Sequence, residues 1–141
     1  MSLKSSMRIL IIDNISNMRQ ATRKMLNEIG FKNVKDCGDA KSAWKVIEEQ
    51  NQLNEPFEFI LCEFDLPDQT GVEFLKQLRS DSSLAKVPVL MVTGNSQQAV
   101  IVQAIQAGAN NFLIKPFSAQ NLMEKVAVIF KQNQGPKKKA S

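Results

Sequence analysis

Five short apolar runs, each followed by a longer amphipathic segment, predict an α/β domain: a parallel five-stranded sheet with helices on both faces. The apolar runs are continuous instead of alternating, as strands read when both sheet faces are buried. Right-handed crossovers between parallel strands then leave few topologies to choose from.

Taken in order, the strands are predicted over 8–12, 34–37, 59–62, 87–92 and 111–114. The first helix is expected to begin near Ser16 as its N-cap and to stop at Gly30, a good left-handed C-terminal position. The second follows Asp39, with Ala43, Trp44 and Ile47 on one stripe. The third starts at Gly71 and carries Val72, Phe74, Leu75 and Leu78. The fourth is expected over about 96–108 and the last over 118–130. One domain is expected over 7–131, with 1–6 an N-terminal extension or cloning remnant and 132–141 a basic flexible tail.

A chain of 141 residues with 43% hydrophobic content suits one domain with a single sizeable core. No apolar run approaches the roughly 18 residues needed to cross a bilayer, and MSLKSSM lacks the apolar stretch of a secretory signal. A cytoplasmic protein without membrane contact is expected. Cys37 and Cys62 sit in apolar strand contexts and read as reduced, buried thiols. Net charge is +4, much of it in the tail GPKKKAS. Three lysines there without interleaved aromatics read as a solvated end, so no nucleic-acid partner is expected. The chain has no histidine, which removes the usual general base near neutral pH.

Chemistry gathers at four strand ends. RILII runs into Asp13-Asn14, FEFILC into Glu63, VPVLMV into Thr93, and NFLI into Lys115-Pro116. Pro67 and Gly71 follow Glu63 in the stretch EFDLPDQTG. Singly, a threonine ending a strand or a lysine before proline has structural explanations. Jointly, at matching ends of one repeated layout, these residues resemble the receiver domain of two-component response regulators, nearest the single-domain chemotaxis type. The resemblance covers about residues 7 to 131. It implies a flavodoxin-like three-layer sandwich with strand order 2-1-3-4-5, whose switch point would bring Asp13, Asn14 and Glu63 into one crevice.

In that family the acid pair after the first strand helps to hold magnesium. The aspartate after the third strand accepts phosphate, and the lysine after the fifth pairs with it. Here the pair is Asp13-Asn14 and the acceptor position is Glu63. Three acids and one lysine would leave a formal charge of −2, whereas Asp13, Glu63 and Lys115 leave −1, so the demand for a divalent ion is weaker. Glutamate also carries its carboxylate about 1.5 Å further out, and a shift near 1 Å at a reacting centre costs on the order of a hundredfold in rate. Both changes act against phosphorylation. The resemblance thus implies an atypical receiver with a weakened magnesium site at Asp13, Asn14 and Glu63, and with Thr93 and Lys115 completing the pocket.

Three readings of Glu63 stay open. It stands in for a phosphoryl group, the pocket is no longer used, or slow phosphorylation persists on Glu63 or Asp65. Phe112 matches the aromatic switch position and, without a hydroxyl, is expected to hold an inward, packed rotamer more easily. In the fourth helix Val102 and Ile105 are expected to face the sheet, with Ile101 outward. Val100, Ile101 and Phe112 are then the candidate partner surface. The expected partner is a histidine kinase or another signalling protein, and the expected state a monomer or weak dimer. The protein is not read as an enzyme, and no effector domain is expected after residue 131.

Other classes fit less well. A flavin-binding flavodoxin-like domain calls for a glycine- and hydroxyl-rich loop, and DNISNM has no glycine. A phosphohydrolase Asp-x-Asp pair fails at Asp13-Asn14-Ile15, and no Gly-Lys-Ser/Thr P-loop occurs.

Overall fold

The computed structural model describes residues 5–132. Residues 133–141 of the basic tail and 1–4 of the N-terminal extension therefore lie outside the described residues, while Gln132 ends the last helix. Strands β1 (Arg8–Ile12), β2 (Asn33–Cys37), β3 (Phe59–Glu63), β4 (Val89–Thr93) and β5 (Asn111–Ile114) alternate with helices α1 (Ser16–Ile29), α2 (Ala40–Gln52), α3 (Gly71–Ser80), α4 (Gln98–Gln106) and α5 (Ala119–Gln132). The strands form one parallel sheet in the order β2-β1-β3-β4-β5. That is the flavodoxin-like arrangement, with β1 and β3 side by side at the switch point.

Each strand sends alternate side chains to opposite faces, so the sheet has two cores. Leu10, Ile12, Ile60, Cys62, Val89 and Met91 pack with α2, α3 and α4 through residues such as Ile47, Phe74, Leu78 and Ala104. Ile9, Ile11, Phe59, Leu61, Leu90 and Val92 pack with α1 and α5 through Leu26, Leu122, Val126 and Ile129. Both faces are covered, which is why β3 and β4 are buried throughout. Cys37 and Cys62 are buried free thiols. Among the described residues no helix is long and apolar enough to cross a membrane.

Several boundaries differ from expectation. Ser16 is already helical and does not cap α1; Ile15 holds the N-cap position without a side-chain bond. The reason is Asp13, whose Oδ1 accepts the Ile15 amide at 2.9 Å and turns the chain into the helix before Ser16 is reached. β4 starts at Val89, because Pro88 has no amide hydrogen and the Val87 amide bonds to the Leu84 carbonyl. α4 is shorter than expected at both ends. The better-signalled starts hold: Asp39 accepts from the Ser42 amide to cap α2, and Thr70 and Glu73 close a capping box on α3.

The inward face of α4 also differs. Val102 and Ile105 are 40% and 44% exposed, while Ala104 and Ala107 are buried against the core. Small alanines let the helix approach the sheet closely, and the larger side chains are turned out. Val100 and Ile101 are half-buried, so Ile101 is not the outward residue.

Arg79 ties the end of the sheet remote from β2. Its guanidinium donates to the carbonyls of Gly108 at 2.8 and 3.1 Å and Val87 at 2.6 Å, and to Asn110 Oδ1 at 3.1 Å. Asn110 Oδ1 in turn accepts the Val89 amide at 2.9 Å. Arg79→Met should lower stability by about 2 kcal/mol, as several carbonyls lose a charged donor but regain water. Urea unfolding of the two proteins measures this.

Candidate functional site

The parallel register aligns the strand ends: Ile12 lies beside Cys62, Glu63 beside Val92, and Thr93 beside Ile114. The residues that end these strands, Asp13, Glu63, Thr93 and Lys115, therefore meet at the carboxyl edge of the sheet. Asp13, Glu63 and Thr93 are all buried. The Lys115 ammonium contacts Glu63 Oε1 directly and lies 3.0 Å from Asp13 Oδ2.

Each carboxylate oxygen of the pocket has a partner within the chain. Asp13 Oδ1 takes the Ile15 amide and Oδ2 takes Lys115. Glu63 Oε1 takes Lys115, and Oε2 accepts weakly from the Asp65 amide at 3.5 Å. The additional methylene of glutamate carries its carboxylate across the pocket to the ammonium. Burial pushes the Glu63 carboxyl above its ordinary value, Lys115 pulls it back, and Asp13 raises it again. For Lys115, burial alone would lower the pKa; hydrogen bonds and charges from Glu63 and Asp13 outweigh that and raise it. Burial sets the direction for Glu63, and the two carboxylates around one ammonium set it for Lys115.

The remaining predicted residues are placed less centrally. Asn14 and Asp65 are exposed. Thr93 Oγ1 accepts the Asn95 amide at 3.0 Å, and the Thr93 carbonyl accepts the Lys115 amide at 2.8 Å. No hydrogen bond joins Thr93 to Glu63 among the described residues. Phe112 is half-buried and belongs to neither core cluster. From α5 the Lys125 ammonium lies 4.5 Å from its ring centroid.

Two supporting residues were not anticipated, and a third, Gly71, was expected only as the start of α3. Arg19 donates to the Asp13 carbonyl at 2.8 Å and so fixes the β1–α1 loop; its position one turn into a helix gives no such signal. Asp68 accepts the amides of Ala40 and Lys41 at 3.1 and 3.0 Å, pinning the β3–α3 loop to the start of α2. Gly71 lies against the end of β3, where its amide donates to the Phe64 carbonyl at 2.7 Å. Its place in the DLPDQTG turn was visible, but the close approach to the acceptor strand was not.

A family model described as the response regulator receiver domain matches residues 9–127. The chain belongs to the receiver family. Its curated relatives include the chemotaxis protein CheY of Pseudomonas aeruginosa, 36% identical and covering 92% of this chain and 100% of its own. CheY-3 of Vibrio cholerae is 34% identical and covers 92% of this chain and 96% of its own. Among solved structures, a CheY-like receiver domain protein from Methanospirillum hungatei superposes with TM-score 0.77 at 28% identity, covering 92% of this chain and 98% of that one. CheY4 of Vibrio cholerae, at 24% identity and TM-score 0.77 over 88% of this chain and 98% of that one, shares the fold. Receivers use magnesium at the phosphorylation site, and the donor set here does not fit a resident divalent ion in this arrangement. Both carboxylates already hold Lys115, Asn14 is exposed, and no cluster of three or more metal-binding acids, cysteines or histidines occurs among the described residues. Nothing in the β1–α1 loop favours the flavin-binding alternative, since the Ile15 amide is taken by Asp13.

Proposed function

We propose that this receiver is an atypical signalling module of a two-component, chemotaxis-type phosphorelay in the cytoplasm, acting through protein–protein contact with weak or absent phosphorylation. The observation that carries this reading is the direct pairing of Glu63 with Lys115, flanked by Asp13. A phosphoacceptor must present a free carboxylate oxygen to the incoming phosphorus. Here Oε1 is engaged by the ammonium that would otherwise neutralise the phosphoryl group, leaving only Oε2, which accepts weakly from the Asp65 amide at 3.5 Å. The ammonium serves as the pocket's own cation, so little attraction is left for magnesium.

The geometry also weighs against the phosphoryl-mimic reading. Glu63 draws its partner from Lys115 and not from Thr93, whose hydroxyl is engaged with the Asn95 amide. The pairing favours one state of the pocket, and partner choice is read as resting on the surface. Thr93 and Phe112 keep their proposed switch positions. The proposed partner face includes Phe112 and the two exposed apolar residues of α4, Val102 and Ile105; Val100 and Ile101 contribute only their half-buried edges. The partner is a histidine kinase or another signalling protein.

The test is intact-mass measurement after incubation with a small phosphodonor and magnesium. We expect no phosphoryl adduct on the wild type and no rise of its melting midpoint with millimolar magnesium. The double variant Glu63→Asp, Asn14→Asp should gain both, since the shorter acid withdraws from Lys115 and the second restores a charge. An adduct on wild-type Glu63 or Asp65 would overturn the reading.

A further inference from the structure

Arg19 on α1 makes a bond that its charge does not call for. Its Nη1 donates to the main-chain carbonyl of Asp13 at 2.8 Å, while its Nε stops 3.6 Å from Asp36 Oδ1, too far for a hydrogen bond. Arg23 takes the other oxygen of that carboxylate, at 2.9 and 3.2 Å. The Arg19 Nε is buried and has no hydrogen-bond partner among the described residues. A buried donor left unpaired is costly, so the guanidinium is placed by its bond to Asp13 and not by Asp36. Gly38 supplies the room. Its backbone is not left-handed and so does not itself demand glycine, yet a Cβ there would stand 3.1 Å from Arg19 Nη1.

Asp13 is tied through its whole length. Its amide donates to the Cys37 carbonyl at 3.0 Å, its carbonyl accepts from Arg19, and Oδ1 accepts the Ile15 amide at 2.9 Å, which leaves Oδ2 aimed at Lys115, 3.0 Å away. Among the described residues no other hydrogen bond reaches the peptide unit that joins Asp13 to Asn14. We propose that Arg19, seated in the space left by Gly38, is a positioning residue that aims the Asp13 carboxylate at Lys115 by holding the Asp13 carbonyl. Once that carbonyl is released the peptide can rotate, and the carboxylate is free to turn away from the ammonium. Lys115 then pairs with Glu63 alone. No hydrogen bond or ion pair joins Arg19 to Lys115 among the described residues, so the effect passes through Asp13. This role rests on the paired pocket and not on the weakness of phosphorylation.

The test is reductive methylation of the folded protein at one pH, with the rate at Lys115 read by peptide mass spectrometry. Arg19→Met should raise that rate about fivefold, as the loss of one hydrogen bond to the ammonium supports. Cys62, fully buried in the core, should stay unreactive to a thiol reagent in the same variant, which separates the effect from unfolding. Asp13→Asn should raise the Lys115 rate as well, and adding Arg19→Met to it should change nothing further. Gly38→Ala keeps Arg19 but crowds its guanidinium, and should raise the rate about twofold. An unchanged Lys115 rate in folded Arg19→Met, or a further rise on top of Asp13→Asn, overturns the role. If Arg19→Met does not fold, an unchanged rate in Gly38→Ala overturns it. Neither phosphodonor nor magnesium enters the measurement, so this proposal and the phosphorylation reading fail separately.

Discussion

Replacing Lys115 with methionine should lower stability at pH 7 by about 3 kcal/mol, because two buried carboxylates then face each other without their shared cation. The side chains of Lys115, Asp13 and Glu63 are only 15%, 7% and 6% exposed, so water offers little relief. The loss should be pH-dependent with a defined sign. The folded-state pKa of Glu63 is raised above its unfolded value, so its stabilising contribution is complete below the ordinary carboxyl range and vanishes as pH rises through the raised value. Removing Lys115 raises that folded value further, so the variant should regain stability on acidification as Glu63 takes up a proton. Lys115 itself has a raised pKa, so the wild type keeps its contribution until the pH climbs through that value in alkaline solution. Denaturant unfolding from acid to alkaline pH measures both. A uniform loss at every pH would mean that Lys115 acts through packing alone.

Gly71→Ala should cost about 2–3 kcal/mol, through crowding with no lost contact. A Cβ at this position would collide with the Glu63 carbonyl oxygen and stand 2.9 Å from Met91 Cε and 3.1 Å from the Phe64 Cα. Met91 can swing away, but the two backbone groups cannot move without shifting the end of β3. Glu63 is the last residue of that strand, so the variant should disturb the ion pair as well as the melting midpoint. A variant that melts with the wild type would show that α3 can retreat without moving β3.

The architecture was readable because its signals are local. Apolar runs mark β1 to β5, and the residue after each run is the one delivered to the carboxyl edge. Parallel register then does the rest, which is how Asp13, Glu63, Thr93 and Lys115 meet. The α4 face was misread because hydropathy favours valine and isoleucine as the buried stripe, whereas close packing against the sheet selects Ala104 and Ala107. The contact of Phe112 with Lys125 was not legible because that partner comes from the following helix. Arg79 and Asp68 bond to backbone groups far away in sequence, and such bonds leave no local pattern. Thr93 was placed correctly at its strand end, yet its hydroxyl engages the turn and not the acid.

The direct pairing of Glu63 with Lys115 is best tested by following the Lys115 Nζ resonance through a pH titration in the wild type and in Glu63→Gln. The account predicts that Lys115 titrates above an ordinary lysine in the wild type and falls toward it in the glutamine variant. Identical titration in the two proteins would contradict it.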